Sequence, residues 1–380
     1  MTATIRRDDV EAVARLATDR ADAELVDWRV EPVGYPALTP TTAALERVSF
    51  TLAGDASGPA ALFVKTIQSL RHSPFFAFIP PMARDAAVAA VPWRNEANLY
   101  GSGLLDGLPA RIRGPIVYRI DDLGDDRIRI WMEDVPTDAA AGWDLERYAD
   151  AARALGRLAG SGRAAATSAA SGLSGVGHRR YASGRIMGFH APALRDPATW
   201  AVPVVASAVD PHLREDLLGL LDRLPAILDL LDRLPQYFGH GDACPQNLLV
   251  EAGRPEGFVA VDWGFAGPGP VGQDLGQLLV GRAENGELDA DELAAVDATI
   301  VPAYVSGLRD EGSTASEDEV RRGYVGALLV RSAFTALPIE LLSGAPAGGN
   351  APDTTDIFTA RARYARFVVD LGHRLGEGTR

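Results

Sequence analysis

Two short stretches of this 380-residue chain hold its densest set of chemically useful side chains. The first is His240-Gly241-Asp242-Ala243-Cys244-Pro245-Gln246-Asn247. The second is the apolar run Phe258-Val259-Ala260-Val261, which ends in Asp262-Trp263-Gly264. Between them lie Leu248-Leu249-Val250 and a glycine-containing turn, so the order is loop, strand, turn, strand, loop. Such a hairpin sets the two polar loops side by side. A carboxylate there can accept a proton, and carboxylate and amide oxygens together suit a hard cation. A third candidate is distant in sequence. Among 37 Lys plus Arg, Lys65 is the one lysine. Lysine is a compact charge on a flexible stem and arginine a wide planar fork, so its retention asks what arginine could not do there.

The surrounding elements read as follows. Residues 8–19 form a helix with an apolar face, and 25–33 a strand. A polar, proline-containing loop spans 34–45. Residues 48–53 and 60–67 make a hairpin around a turn at 54–59, with Lys65 near the end of its second strand. A helix over 93–105 starts after Pro92 and carries Glu96. Strands at 116–120 and 127–133 flank the acidic turn 121–126. Residues 1–133 are thus expected to form a β-rich lobe, a five-stranded antiparallel sheet with a helix. From Leu145 helices dominate, at 145–161, 213–234, 290–308, 317–342 and 356–375, with a Gly/Ser/Ala-rich connection over 161–177. Residues 134–380 are expected to form a larger, mainly helical lobe interrupted by the hairpin. The fold class is α+β.

Composition excludes several functions. A net charge of −14 argues against nucleic acid as a partner, because phosphate backbones call for a basic surface. It is compatible with a cationic substrate, but simple solubility is the plainer reading. No apolar run reaches the roughly 18–20 residues that span a bilayer, so no membrane association is expected. The polar start of the chain lacks a secretory apolar core, which makes a cytoplasmic location the default expectation. A single cysteine, Cys244, excludes an intrachain disulfide and a cysteine-rich zinc site. No pattern specifies an oligomeric state.

His-x-Asp-x-x-x-x-Asn, followed by an apolar strand ending in Asp-x-Gly, resembles the catalytic and metal-binding loops of the protein-kinase-like fold. With Gly before Asp242, and with Asp262-Trp263-Gly264-Phe265-Ala266-Gly267 reaching Asp274-Leu275, the pattern is similar to the aminoglycoside phosphotransferase family. The resemblance spans residues 25–340, and its motifs lie at Lys65, Glu96 and 239–275. It implies a two-lobed kinase-like fold that transfers the γ-phosphoryl group of ATP, with Mg2+, to a hydroxyl of a small molecule such as an aminoglycoside-like compound, a sugar or an amino alcohol.

In that reading Asp242 accepts the hydroxyl proton, and Asn247 and Asp262 hold the metal. His240 and Asp274 support the loop. Lys65 contacts phosphate and pairs with Glu96, with Asp85 as the alternative partner. Glu133 and Val135, in a hinge at 132–135, hold adenine through backbone groups. Residues 145–234 and the C-terminal helices form the acceptor pocket. One departure from the pattern is the glycine-rich phosphate loop. Residues 34–45 hold one glycine and Thr39, Thr41 and Thr42. A nucleotide-binding scaffold without phosphotransfer, and a kinase acting on peptide Ser/Thr, are the alternative functions.

Simpler roles stand beside these. Asp242 and Asp262 fit strand-end turns. Cys244 reads as a small buried side chain rather than a nucleophile, since no His/Asn arrangement supports the latter. The cluster His178-Arg179-Arg180 with Arg185 reads as an anion site or as a solvated, carboxylate-paired face. Asp289, Asp291 and Glu292 read as a cation pocket or as an acidic helix start.

Overall fold

The computed structural model describes residues 4–34, 40–54, 58–79, 81–138, 141–343 and 354–377. Strands β1 (Leu25–Pro32), β2 (Thr42–Leu52) and β3 (Ala60–Gln68) are followed by β4 (Ile112–Arg113), β5 (Val117–Gly124) and β6 (Arg127–Glu133). All but β4 form one antiparallel five-stranded sheet in the order β1-β2-β3-β6-β5. Side chains alternate across a strand, so β3 serves two cores. Leu62 and Val64 join Val48, Phe50 and Trp131 beneath helix α1 (Arg7–Thr18), which contributes Val10, Val13 and Ala14. Ile67 and the partly buried Phe63 face the opposite side with Ile128, Ile130, Met132 and Ala97. Lys65 falls in that second register, one residue pair from each.

Several expectations need correction. The 121–126 segment is not one long turn. β5 runs to Gly124, and Asp125 and Asp126 close the hairpin alone at φ 48° and 53°. Both are left-handed, as a two-residue primed turn demands. β2 begins at Thr42, inside the expected loop. The 93–105 helix is cut short. A helix (α2, Arg84–Ala90) precedes it, and α3 covers Asn95–Tyr100, after which Gly103 at φ 73° breaks the spiral before a 3-10 turn. The 161–177 connection contains helix α5 (Gly162–Ala170), capped by Ser161, directly after α4 (Leu145–Gly160). Its alanines favour helix, and its terminal Gly and Ser hid that. The 317–342 helix is Glu317–Leu328 plus a π-helical turn, Leu329–Ala333. Thr39 and residues 55–57 of the expected β2–β3 turn lie outside the described residues.

The helical part closes around α4 and the helix Leu293–Asp310. They touch backbone to backbone. A Cβ on Gly156 would stand 2.1 Å from the Tyr304 carbonyl oxygen, and one on Gly307 would stand 2.1 Å from that of Arg153. Against this core lies the expected hairpin, β8 (Leu248–Glu251) and β9 (Arg254–Ala260), with β4 parallel to β9. A second small sheet pairs β7 (Gln236–Gly239) with β10 (Gly267–Pro270). No helix among the described residues is long and apolar enough to cross a membrane.

Short helices fill 178–208, and in them His190 is fully buried, with both ring nitrogens lacking a hydrogen-bond partner among the described residues. Burial, aided by nearby Arg185, pushes its pKa down to about 4. The unfolded chain takes up this proton near pH 6.5 and the folded chain does not. The folded state therefore loses stability as pH falls from about 6.5 to about 4, by up to about 3 kcal/mol. Urea titrations of wild type and His190→Leu at pH 7 and pH 4.5 are expected to show the smaller acid loss in the variant.

Candidate active site

The β3 register aims Lys65 at α3, and the hairpin brings Asp262 to the same point. Lys65 Nζ lies 2.7 Å from Glu96 Oε2 and 2.8 Å from Asp262 Oδ1. The side chains of Lys65 and Glu96 are 8 % and 4 % exposed, whereas that of Asp262 is 41 % exposed. Of the two carboxylates considered for Lys65 it is Glu96 that pairs, while Asp85 is exposed on α2. Tyr100 donates a hydrogen bond to the other Glu96 oxygen at 3.3 Å. Burial disfavours the Lys65 ammonium, but Asp262 and Glu96 together raise its pKa above the ordinary value. Burial likewise opposes ionisation of Asp262, yet the adjacent ammonium holds its carboxyl below the ordinary value.

Asp262 sits at φ 60°, a left-handed position rare for a residue with a side chain. Its loop is anchored on both sides. Asn95, at the start of α3, donates to the Gly264 and Ala266 carbonyls at 3.2 and 2.8 Å. Fully buried His240 meets the Val261 carbonyl through Nε2 at 2.9 Å, so that nitrogen carries the proton, and Nδ1 accepts from the Asp242 N–H at 3.3 Å. One imidazole thereby ties the Asp262 strand to the Asp242 loop. Asp274, 1 % exposed at the start of the helix Asp274–Glu284, accepts the backbone N–H of His240 at 3.0 Å and of Gly241 at 2.7 Å. Gly241 must be glycine. Its φ is 79°, and a Cβ would lie 2.3 Å from the Phe265 carbonyl oxygen.

Asp242 and Asn247 face each other across their loop. Asn247 Nδ2 donates to the Asp242 carbonyl at 2.9 Å, which turns the amide oxygen away from that bond. Asp242 Oδ1 is 3.0 Å from the Arg331 guanidinium. Burial raises the Asp242 pKa, and Arg331 opposes the rise. Beside this pair lies a pocket lined by His178, Tyr181, Gly241, Phe265, Gln277 and Arg331. Burial, reinforced by Arg331, pushes the His178 pKa down to about 4, so the ring is neutral at pH 7.

Other candidates fall elsewhere. The Glu133 carboxylate is engaged by Arg113 and by the Ile116 N–H at 2.9 Å, and its own N–H donates to the Ile116 carbonyl at 2.9 Å. Val135 follows, half-buried, just beyond β6. Cys244 is half-buried rather than fully buried, with its Cβ so close to Gly281 that a side chain there would clash at 2.5 Å. Within the basic cluster Arg179 is carboxylate-paired, with Asp229 and Asp232 at 2.6 and 2.5 Å, while His178 lines the pocket. Asp289 caps its helix and binds Arg363, the acidic-start reading. Arg331 and Asn95 were missed by sequence reasoning. Asn95 carried one faint signal, its place beside Glu96.

A family described as "Phosphotransferase enzyme family" (APH) matches residues 104–308. No curated protein matches. Among solved structures, an aminoglycoside phosphotransferase from Alicyclobacillus acidocaldarius subsp. acidocaldarius DSM 446 is 16 % identical, covers 99 % of this chain and 98 % of its own, and superposes with TM-score 0.51. An amicoumacin kinase, hAmiN, in complex with AMP-PNP, Ca2+ and Ami is 13 % identical over 96 % of each chain, with TM-score 0.48. A microcompartment-associated aminopropanol kinase is 13 % identical over 97 % of this chain and 98 % of that one, with TM-score 0.46. The first of these likenesses bears on the fold.

Asn95→Ala would leave two loop carbonyls without their donor. A loss of about 1–3 kcal/mol is expected. Thermal unfolding checks it, and an unchanged Tm would remove Asn95 from the loop's support.

Proposed function

The chain belongs to the phosphotransferase enzyme family, and from that premise we propose that it moves the γ-phosphoryl group of ATP to a hydroxyl of a small molecule. The observation that carries the reading is the Lys65–Glu96–Asp262 cluster. It unites an ammonium and a carboxylate 197 positions apart in sequence, beside the Asp242–Asn247 loop.

The donor set fits a hard divalent cation. Asp262 presents a partly exposed carboxylate, and Asn247 an amide oxygen not used toward its own loop. These two residues would hold Mg2+, which when bound neutralises phosphate charge. Lys65, oriented by Glu96, would meet phosphate oxygens. Asp242 would accept the hydroxyl proton as that oxygen attacks phosphorus. His240 and Asp274 would keep the loop in place. Residues 133–135 would hold the adenine through backbone groups of Glu133 and Val135. In this scheme 1–133 carry the nucleotide and 134–380 the catalytic loop and acceptor. Aminoglycoside-like compounds, sugars and amino alcohols are the acceptors to screen.

A coupled ADP-release assay against those acceptors tests the proposal. Asp242→Ala and Asp262→Ala are each expected to lose at least about 100-fold in kcat. Full turnover in both would sink the assignment. Lys65→Arg keeps the charge but puts a fork where two carboxylates grip a point, and should cost about tenfold or more in kcat/KM. Unchanged kinetics would return Lys65 to a purely structural part.

A further inference from the structure

We infer that Arg331 is a positioning residue for phosphoryl transfer, fixing the Asp242 carboxylate so that one oxygen is held and the other faces the acceptor. The inference rests on the phosphotransferase reading above. Arg331 reaches the loop from the C-terminal helices with two N–H groups. One donates to the Gly241 carbonyl at 2.6 Å and the other to Asp242 Oδ1 at 3.0 Å. The second Asp242 oxygen, Oδ2, has among the described residues one long contact, 3.5 Å to Asn247 Nδ2. The carboxylate is thus asymmetric, with a tied oxygen and an open one.

The guanidinium is itself clamped. Its carbon lies 4.5 Å from the Phe265 ring centre and 5.2 Å from that of Tyr181, both within cation–π range. Phe265 belongs to the loop that follows Asp262, so the clamp also links Arg331 to that loop. The backbone is fixed in the same way. Arg331 lies in the π-helical turn Leu329–Ala333, a wide turn that disturbs the usual bond ladder. Its carbonyl accepts from the Tyr181 hydroxyl at 3.3 Å and from Thr335 Oγ1 at 3.0 Å. The side chain is 16 % exposed. A surface ion pair needs none of these restraints, whereas a fork that must hold one carboxylate rotamer uses all of them. In the reaction the acceptor oxygen would bond the γ-phosphorus as the bond from phosphorus to the ADP oxygen breaks, and its proton would pass to Oδ2 while Oδ1 stays on Arg331.

The test is steady-state hydrolysis of MgATP, with water as acceptor, in wild type, Arg331→Met, Arg331→Lys, Asp242→Asn and the Asp242→Asn/Arg331→Met double variant. Arg331→Met is expected to lower kcat about 10–100-fold with the KM for MgATP within about twofold. Arg331→Lys, which keeps a cation between the rings, should fall between it and wild type. Added guanidinium ion should restore part of the loss. The double variant should be no slower than Asp242→Asn alone, because Arg331 acts through that carboxylate. Wild-type kcat in Arg331→Met, or a full multiplicative loss in the double variant, overturns the inference and leaves the family reading intact. Absence of MgATP binding in wild type overturns the phosphotransferase reading itself, and this inference with it.

Discussion

One ammonium group organises the site. Lys65 sits where solvent hardly reaches, between two carboxylates less than 3 Å away. Removing the ammonium and the Glu96 carboxylate from water is costly, and only close, well-directed pairing offsets it. The pairing is unequal, since one positive charge faces two negative ones. Glu96 is almost wholly enclosed and completes its bonding with Tyr100, whereas Asp262 opens toward solvent. The excess negative charge is therefore presented at one place. A second cation would be welcome there, which agrees with the magnesium role proposed for Asp262 and Asn247.

The rest of the structure serves to bring these partners together. β3 must place Lys65 on the α3 side of the sheet, and the strand's alternation does so with Phe63 and Ile67 as neighbours in the same register. The hairpin must end at Asp262 in a left-handed turn, and the buried His240 and Asp274 restrain the loops on either side. Asn95 then joins α3 to the residues after Asp262. Each restraint is a polar bond of 2.7–3.3 Å made by a buried side chain, where loss of one partner costs more than the bond itself is worth.

How much of this could be read in advance follows from where the signals are local. The hairpin from 240 to 262 was legible because two short continuous apolar runs and the turn residues between them lie next to one another. Lys65 was legible because of its isolation among arginines, and Glu96 because its helix begins near a proline. Arg331 was not legible. It is one arginine among many, in a helix whose apolar pattern continues through it, and the π turn that swings it toward Asp242 has no compositional mark. Helix α5 was obscured because small residues serve helix interiors and loops alike. β4 is only two residues long, and its pairing with β9 is a long-range contact that no periodicity announces.

That short pairing has a mechanical meaning. Two segments connect the five-stranded sheet with the helical part. One runs through Ile112, opposite Phe258 on β9, and the other passes Thr137, which bridges to Glu251 at the far end of β8. The first crossing joins β9 close to Asp262, since Arg113 stands opposite Val259, and the second joins β8 at the turn end of the hairpin. Both links between the sheet and the helical part therefore hold on to the one hairpin whose loops carry the two carboxylates.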